Sequence, residues 1–261
     1  MSLIGDNVGR FFSAWRDWWA RGLGALRITP NKVTVFGTLL TIGAAVCYCQ
    51  LVRTEVWTWG LYAGLFLFGS FGCDMLDGAV ARITGKASPF GAFLDSTMDR
   101  VSDFALWTGV ALGYLLRETP NITYAVWCML GFFWAVMISY TKARAEDFID
   151  GCGVGYWQRP ERSVAWIVSA FAFNPAALVL QQGTLPALTL ARRMWHTHGK
   201  MKGREMVVNC RENGRWYHRL AFWLYPRASW PYDIASIIYI LFCIVVRYDA
   251  QNYDVLRQWL L

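Results

Sequence analysis

Four aspartates, Asp74, Asp77, Asp95 and Asp99, fall within 26 residues, between segments apolar enough to span a bilayer. Few arrangements constrain a fold more tightly. A carboxylate in a membrane helix is costly, so it has to face a cavity, a partner or a metal. On a helix, positions 74, 77, 78, 81 and 82 share one face, because residues three, four, seven and eight apart stack. Positions 91, 95, 99 and 103 share a face of a second helix by the same rule. Two acidic faces joined by a short connection have the makings of a divalent-metal site, since hard cations take oxygen ligands and Mg²⁺ is typically held by carboxylates together with substrate phosphates. Two ions held there could clamp a phosphoryl centre.

The rest of the chain fits a membrane setting. Of its 261 residues 56% are hydrophobic and only 16% charged, fewer charges than a soluble domain of this size carries. The expected class is all-α: a polytopic membrane protein with six, possibly seven, transmembrane helices and an N-terminal amphipathic surface helix. Apolar segments predict helices near 31–52, 56–82, 91–116, 122–145, 163–180, 182–195 and 232–247. The fifth and sixth are interrupted by Asn174-Pro175 and by Pro186. The last is marginal for a span, and is expected either to cross or to lie half-buried. Residues 1–28 alternate Arg10, Arg16, Arg21 and Arg27 with Phe and Trp, a pattern suited to an anionic membrane surface. Lys and Arg concentrate before residue 29 and in 82–100, 142–162 and 192–227. The connections 53–55 and 117–121 hold only Arg53 and Arg117. Positive charge marks the cytoplasmic side, so the N-terminus, the Asp-rich connection and 142–162 are expected to share it. Residues 196–230, basic and then aromatic, read as a cytoplasmic loop resting on the interface.

Several chemistries are disfavoured. The seven cysteines lie mostly in apolar stretches without paired spacing, predicting neither disulfides nor zinc. His196 and His198, two apart, do not share a helix face. The net charge of +7 suits anionic lipid or substrate, and no nucleic-acid motif accompanies it. Within the acidic stretch, Gly78 leaves room for a phosphate to approach, and the planar fork of Arg82 suits one. Asp99 could serve as a general base if metal leaves one of its oxygens free. Asp103 continues the i+4 series deeper in its helix and reads as a pairing residue. Arg144 and Arg159 read as structural partners of Glu146 and Glu161.

The spacing D-x2-D-G-x2-A-R-x8-G-x3-D-x3-D resembles the signature of the CDP-alcohol phosphotransferase family, with all eight fixed positions present. The stretch Thr29 to Thr34 resembles the start of that family's first helix. The stretches Ser139 to Glu146 and Arg159 to Arg162 are similar to the bacterial phosphatidylinositol phosphate synthase branch. The resemblance implies six transmembrane helices over residues 29–195, a homodimer in a bacterial inner membrane, and a polar cavity facing the cytoplasm. Residues 1–28 would be a juxtamembrane segment and 196–261 an appendage of unassigned role. It implies transfer of a phosphatidyl group from CDP-diacylglycerol to an alcohol with release of CMP. Asp74, Asp77, Asp95 and Asp99 would hold two Mg²⁺ or Mn²⁺ ions, with Asp99 also taking the acceptor's proton. Asn31, Lys32, Val33, Thr34, Gly78, Arg82 and Ser88 would line the CDP pocket. Lys142, Arg162 and Arg193 match residues that hold the phosphate of a phosphorylated acceptor, with Arg192 competing for the third place. Inositol phosphate is the leading acceptor and glycerol 3-phosphate the runner-up. A membrane prenyltransferase lacks the fixed Gly and Arg positions. A non-enzymatic cation transporter would leave Arg82 as a repelling charge beside the ion path.

Overall fold

A computed structural model of the chain describes residues 14, 16–203 and 230–246, and these are helices joined by short connections. The helices are α1 (Pro30–Thr54), α2 (Trp57–Ile83), α3 (Pro89–Leu115), α4 (Ile122–Ala145), α5 (Arg159–Phe171), α6 (Pro175–Thr184), α7 (Pro186–Met201) and α8 (Trp230–Val245). Residues 16–25 are also helical. Ala20, on that segment, packs against Ala79 and Val80 of α2. Half of the expected surface helix over 1–28, and most of the expected loop at 196–230, lie outside the described residues. The described part of that stretch differs from expectation: α7 stays helical to Met201.

Local chemistry explains where α1, α3 and α4 begin. Prolines stand at the start of α1 and α3, where the missing N–H costs nothing and the fixed φ suits the helix. The Ser88 and Asn121 side chains cap α3 and α4, accepting from the Gly91 and Tyr124 backbone N–H groups. Three helices, α1, α2 and α4, are long and apolar enough to cross a membrane. α3 equals α2 in length, but it carries Asp95, Asp99, Arg100 and Asp103.

The 163–180 expectation is corrected. α5 ends at Phe171 and is 13 residues long, about 20 Å at 1.5 Å per residue, short of the hydrocarbon thickness. Pro175 disfavours helical geometry at the residue before it. Phe173 turns the chain with φ 54°, and Asn174 caps the next helix by accepting from the Ala177 N–H at 3.2 Å. The sixth apolar segment, expected at 182–195, is instead α6 and α7, separated only by Leu185 in helical geometry. Pro186 breaks the hydrogen-bond ladder there.

Antiparallel packing brings the Asp-rich ends of α2 and α3 beside the start of α1. Close approach is built in. A Cβ on Gly37 would lie 2.9 Å from the Cβ of Cys73, and one on Gly109 only 2.4 Å from the Ala45 carbonyl oxygen. Those contacts set α1 against α2 and α3 respectively. The opposite end is closed by an ion pair between Arg117 and Glu55. The core is aromatic and lies between α1, α3 and α5: Trp166 stands edge-on to both Tyr48 and Trp107, and the Tyr48 hydroxyl bonds that of Ser169 at 2.7 Å.

α8 docks on α5 and α6. Asn174 donates to the carbonyls of Cys243 and Val246 at 2.9 and 2.6 Å, and Gln181 donates to that of Tyr239 at 3.1 Å. The Asn174 amide thereby satisfies carbonyls at the end of α8 that have no partner within the helix. The Tyr232 hydroxyl donates to Glu161 at the start of α5. The cysteines described are all free, as expected, and Cys210 lies outside the described residues.

Candidate active site

Three carboxylates converge. Oxygens of Asp74 on α2 and of Asp95 and Asp99 on α3 all lie within 4.8 Å of one another. The i, i+4 spacing of 95 and 99 puts both on the face that meets α2. Asp77, one turn beyond Asp74, lines the same cleft but is turned differently. Its Oδ2 accepts from the Thr34 hydroxyl at 2.7 Å, and its Oδ1 accepts from the Gly78 N–H at 2.6 Å. All four are acidic oxygen donors, the set that hard divalent cations prefer. Grouping within 4.8 Å suits one ion shared by several ligands, so the residues fit such a metal.

Arg159, at the first position of α5, inserts between two of these carboxylates. Its Nη1 donates to Asp74 Oδ1 at 2.7 Å, and its Nη2 pairs with Asp99 Oδ1. The expected Arg159–Glu161 pair is therefore corrected. Residues two apart lie on opposite helix faces, and that spacing alone argues against the pair. Arg144 likewise pairs with Asp147 at 2.7 Å rather than with Glu146; Glu146 instead lies 3.9 Å from Lys142.

A cavity extends from the carboxylates toward the centre of the bundle. Asp74, Asp99, Asp103, Arg159 and Arg162 line it, with hydroxyls from Thr41, Ser70, Ser102 and Ser163. Asp103 has the expected pairing role: it lies 3.5 Å from Arg162 and 3.9 Å from Arg100. Arg162 is 4% exposed, and its Nη1 has no hydrogen-bond partner. A buried guanidinium with a donor to spare is a ready anion ligand.

The three basic positions expected at the acceptor phosphate have different surroundings. Arg162 is in the cavity. Arg193 is buried on α7 and donates to two backbone carbonyls, those of Val154 at 3.3 Å and Ile138. Lys142 is exposed at the end of α4, in the loose pair with Glu146. The CDP-pocket expectations also divide. Lys32, Arg82 and Ser88 are exposed and Asn31 is half-buried, whereas Val33 is buried. Asn31 and Ser88 come together, since a Cβ on Gly91 would lie 3.4 Å from Asn31 Oδ1 and 3.2 Å from Ser88 Oγ. At Gly78 a Cβ would lie 3.7 Å from Arg82 Nη1, so the open face of Gly78 and the Arg82 fork adjoin.

Residues 27–199 match the family model for CDP-alcohol phosphatidyltransferase. The chain belongs to that family. It is an enzyme, and an integral membrane protein. Archaetidylinositol phosphate synthase of Pyrococcus horikoshii is 34% identical over 184 residues, 69% of this chain and 89% of the relative. Phosphatidylinositol phosphate synthase of Mycobacterium bovis is 36% identical over 174 residues, covering 63% and 74%. The crystal structure of the Mycobacterium tuberculosis phosphatidylinositol phosphate synthase with CDP-DAG bound superposes with a TM-score of 0.62 at 27% identity, covering 73% of this chain and 96% of that one. The same enzyme in complex with manganese and citrate gives 0.60 at 28% identity, covering 70% and 88%. Manganese in that relative and the acidic cluster here point together to a divalent-metal site.

Proposed function

We propose that this chain transfers a phosphatidyl group from CDP-diacylglycerol to inositol phosphate, forming phosphatidylinositol phosphate and releasing CMP. The observation that carries this reading is a cleft holding the Asp74, Asp95 and Asp99 carboxylates and Arg159, adjoined by the cavity that Arg159 and Arg162 line. Carboxylates suit metal-assisted phosphoryl transfer, and the cations suit a phosphorylated acceptor. The names of the relatives support the choice of acceptor.

Two Mg²⁺ or Mn²⁺ ions held by Asp74, Asp77, Asp95 and Asp99 would supply charge neutralisation at the transferred phosphate. The protein's own groups do the rest. Asp99 takes the proton from the acceptor hydroxyl. The oxygen so activated bonds to the lipid-side phosphorus as its bond to the CMP oxygen breaks. Thr34 orients Asp77. Asn31, Lys32, Val33, Gly78, Arg82 and Ser88 surround the CDP moiety, with Val33 acting through its backbone. Arg162, Lys142 and Arg193 bind the acceptor phosphate.

The proposed setting is a homodimer in a bacterial inner membrane with the cleft facing the cytoplasm. The proposed spans are α1, α2, α3 and α4, the short α5, and α6 continuing into α7. α8 is a seventh membrane-embedded helix beside α5, following the family domain of 29–195. Residues 16–28 lie on the membrane surface. The deciding experiment gives purified protein labelled CDP-diacylglycerol and Mg²⁺ with inositol phosphate, glycerol 3-phosphate, inositol or serine in turn. Phosphatidylinositol phosphate as the main product is expected. Product only from glycerol 3-phosphate would replace this acceptor assignment, and no CMP from any acceptor would refute the transferase reading.

A further inference from the structure

We infer that Arg159 is a built-in counter-cation of the acidic cluster, exchanged by divalent metal and thereby delivered to a substrate phosphate. This inference deepens the phosphatidyl-transfer reading and rests on it for the identity of the substrates. Three carboxylates within 4.8 Å of one another repel strongly where little water screens them. Arg159 spans Asp74 and Asp99, one nitrogen to each, and lines the cleft and the deeper cavity alike, whereas Arg100 lies 3.6 Å from Asp99 alone. Those carboxylate oxygens are the ones a metal would take. A divalent ion and the guanidinium therefore compete for the same lone pairs.

The released fork would have anions to bind close by. Arg159 and Arg162 stand three apart at the start of α5, hence on one face, and Asp103 retains Arg162 when Arg159 leaves. A planar guanidinium binds phosphate oxygens in pairs. Metal loading and phosphate binding become coupled: the protein holds one phosphate ligand internally until the metals arrive. A purely structural arginine would behave differently, since its loss would loosen the cluster and weaken metal binding.

The test titrates purified wild type, Arg159→Gln and Arg159→Lys with Mn²⁺ alone, reading free Mn²⁺ by electron paramagnetic resonance. Elution and far-ultraviolet dichroism check the fold. Arg159→Gln is expected to tighten Mn²⁺ binding about tenfold, the effect of removing one charge-assisted competitor. Arg159→Lys keeps the charge but reaches one carboxylate, and is expected to tighten it by a smaller factor. On the Mn²⁺-loaded proteins, equilibrium binding of labelled CDP-diacylglycerol and of labelled inositol phosphate is then measured separately. One of the two is expected to weaken about tenfold in Arg159→Gln, and which one weakens identifies the phosphate that Arg159 receives. Unchanged or weaker Mn²⁺ affinity in a folded variant would overturn the proposal, with Arg159→Lys deciding if Arg159→Gln does not fold. Unchanged binding of both substrates would overturn it too. Neither readout needs turnover, so a wild type that releases no CMP would refute the transferase reading and leave the Mn²⁺ titration to judge the exchange.

Discussion

Replacing Thr34 by valine removes one hydroxyl and keeps the side-chain shape. In the folded protein that hydroxyl lies 2.7 Å from Asp77 Oδ2 and 3.2 Å from the Pro30 carbonyl. Its single proton goes to the shorter, charged partner. A hydrogen bond to a charged group contributes about 1.5–3 kcal/mol. Asp77 is 9% exposed, so water can replace only part of that, while the Gly78 N–H remains on the other oxygen. The lower end of the range, about 1.5 kcal/mol, corresponds to roughly tenfold in a binding constant. If Thr34 orients Asp77 as a metal ligand, Thr34→Val weakens Mn²⁺ binding about tenfold without CDP-lipid present, and Thr34→Ser restores it. The assay is the Mn²⁺ titration on detergent-purified protein, with KM for CDP-diacylglycerol measured at saturating metal. A folded Thr34→Val with wild-type Mn²⁺ affinity and only a raised KM for the CDP-lipid would refute the orienting role and leave Thr34 as a direct contact of the CDP moiety.

Asp99→Asn is expected to abolish CMP release while leaving the far-ultraviolet dichroism unchanged; retained turnover would remove Asp99 from the base role. Arg162→Ala and Lys142→Ala are expected to raise KM for inositol phosphate far more than for CDP-diacylglycerol, with the larger effect at Arg162, which is buried where Lys142 is exposed. Equal effects on both substrates would sink that assignment. Gly109→Ala forces a methyl group to 2.4 Å from the Ala45 carbonyl oxygen; overpacking costs about 1–3 kcal/mol, seen as a lower Tm in detergent with no direct change at the carboxylates. Chelation is expected to stop CMP release, and added Mg²⁺ or Mn²⁺ to restore it.

Much of the site was legible in one dimension because its determinants are local. Asp95 and Asp99 share a face through helical periodicity alone, and the Asp77-Gly78 pair sits where the same rule places it. The first four helices follow from apolar runs, with Pro30, Ser88-Pro89 and Asn121 opening α1, α3 and α4. Sequence reading failed where two local signals conflicted. Residues 163–180 are apolar enough for one helix, yet Asn174-Pro175 ends it, and apolarity outweighed the break. Arg159 was assigned to a nearby glutamate although a spacing of two puts that partner on the far face.

By itself, then, the sequence determined an all-helical chain, the register of its acidic faces and the family's reaction chemistry, because backbone hydrogen bonding, periodicity and motif spacing act within a few residues. Only the tertiary structure decided which charges meet. Thr34 reaches Asp77 across 43 positions, and Arg159 reaches Asp74 across 85. Tyr232 and Asn174 join α8 to α5 and α6 over similar separations. Contacts of that kind depend on how closely the helices approach, at Gly37 and Gly109, and on how far α5 runs before it breaks. Neither quantity is carried by any one segment.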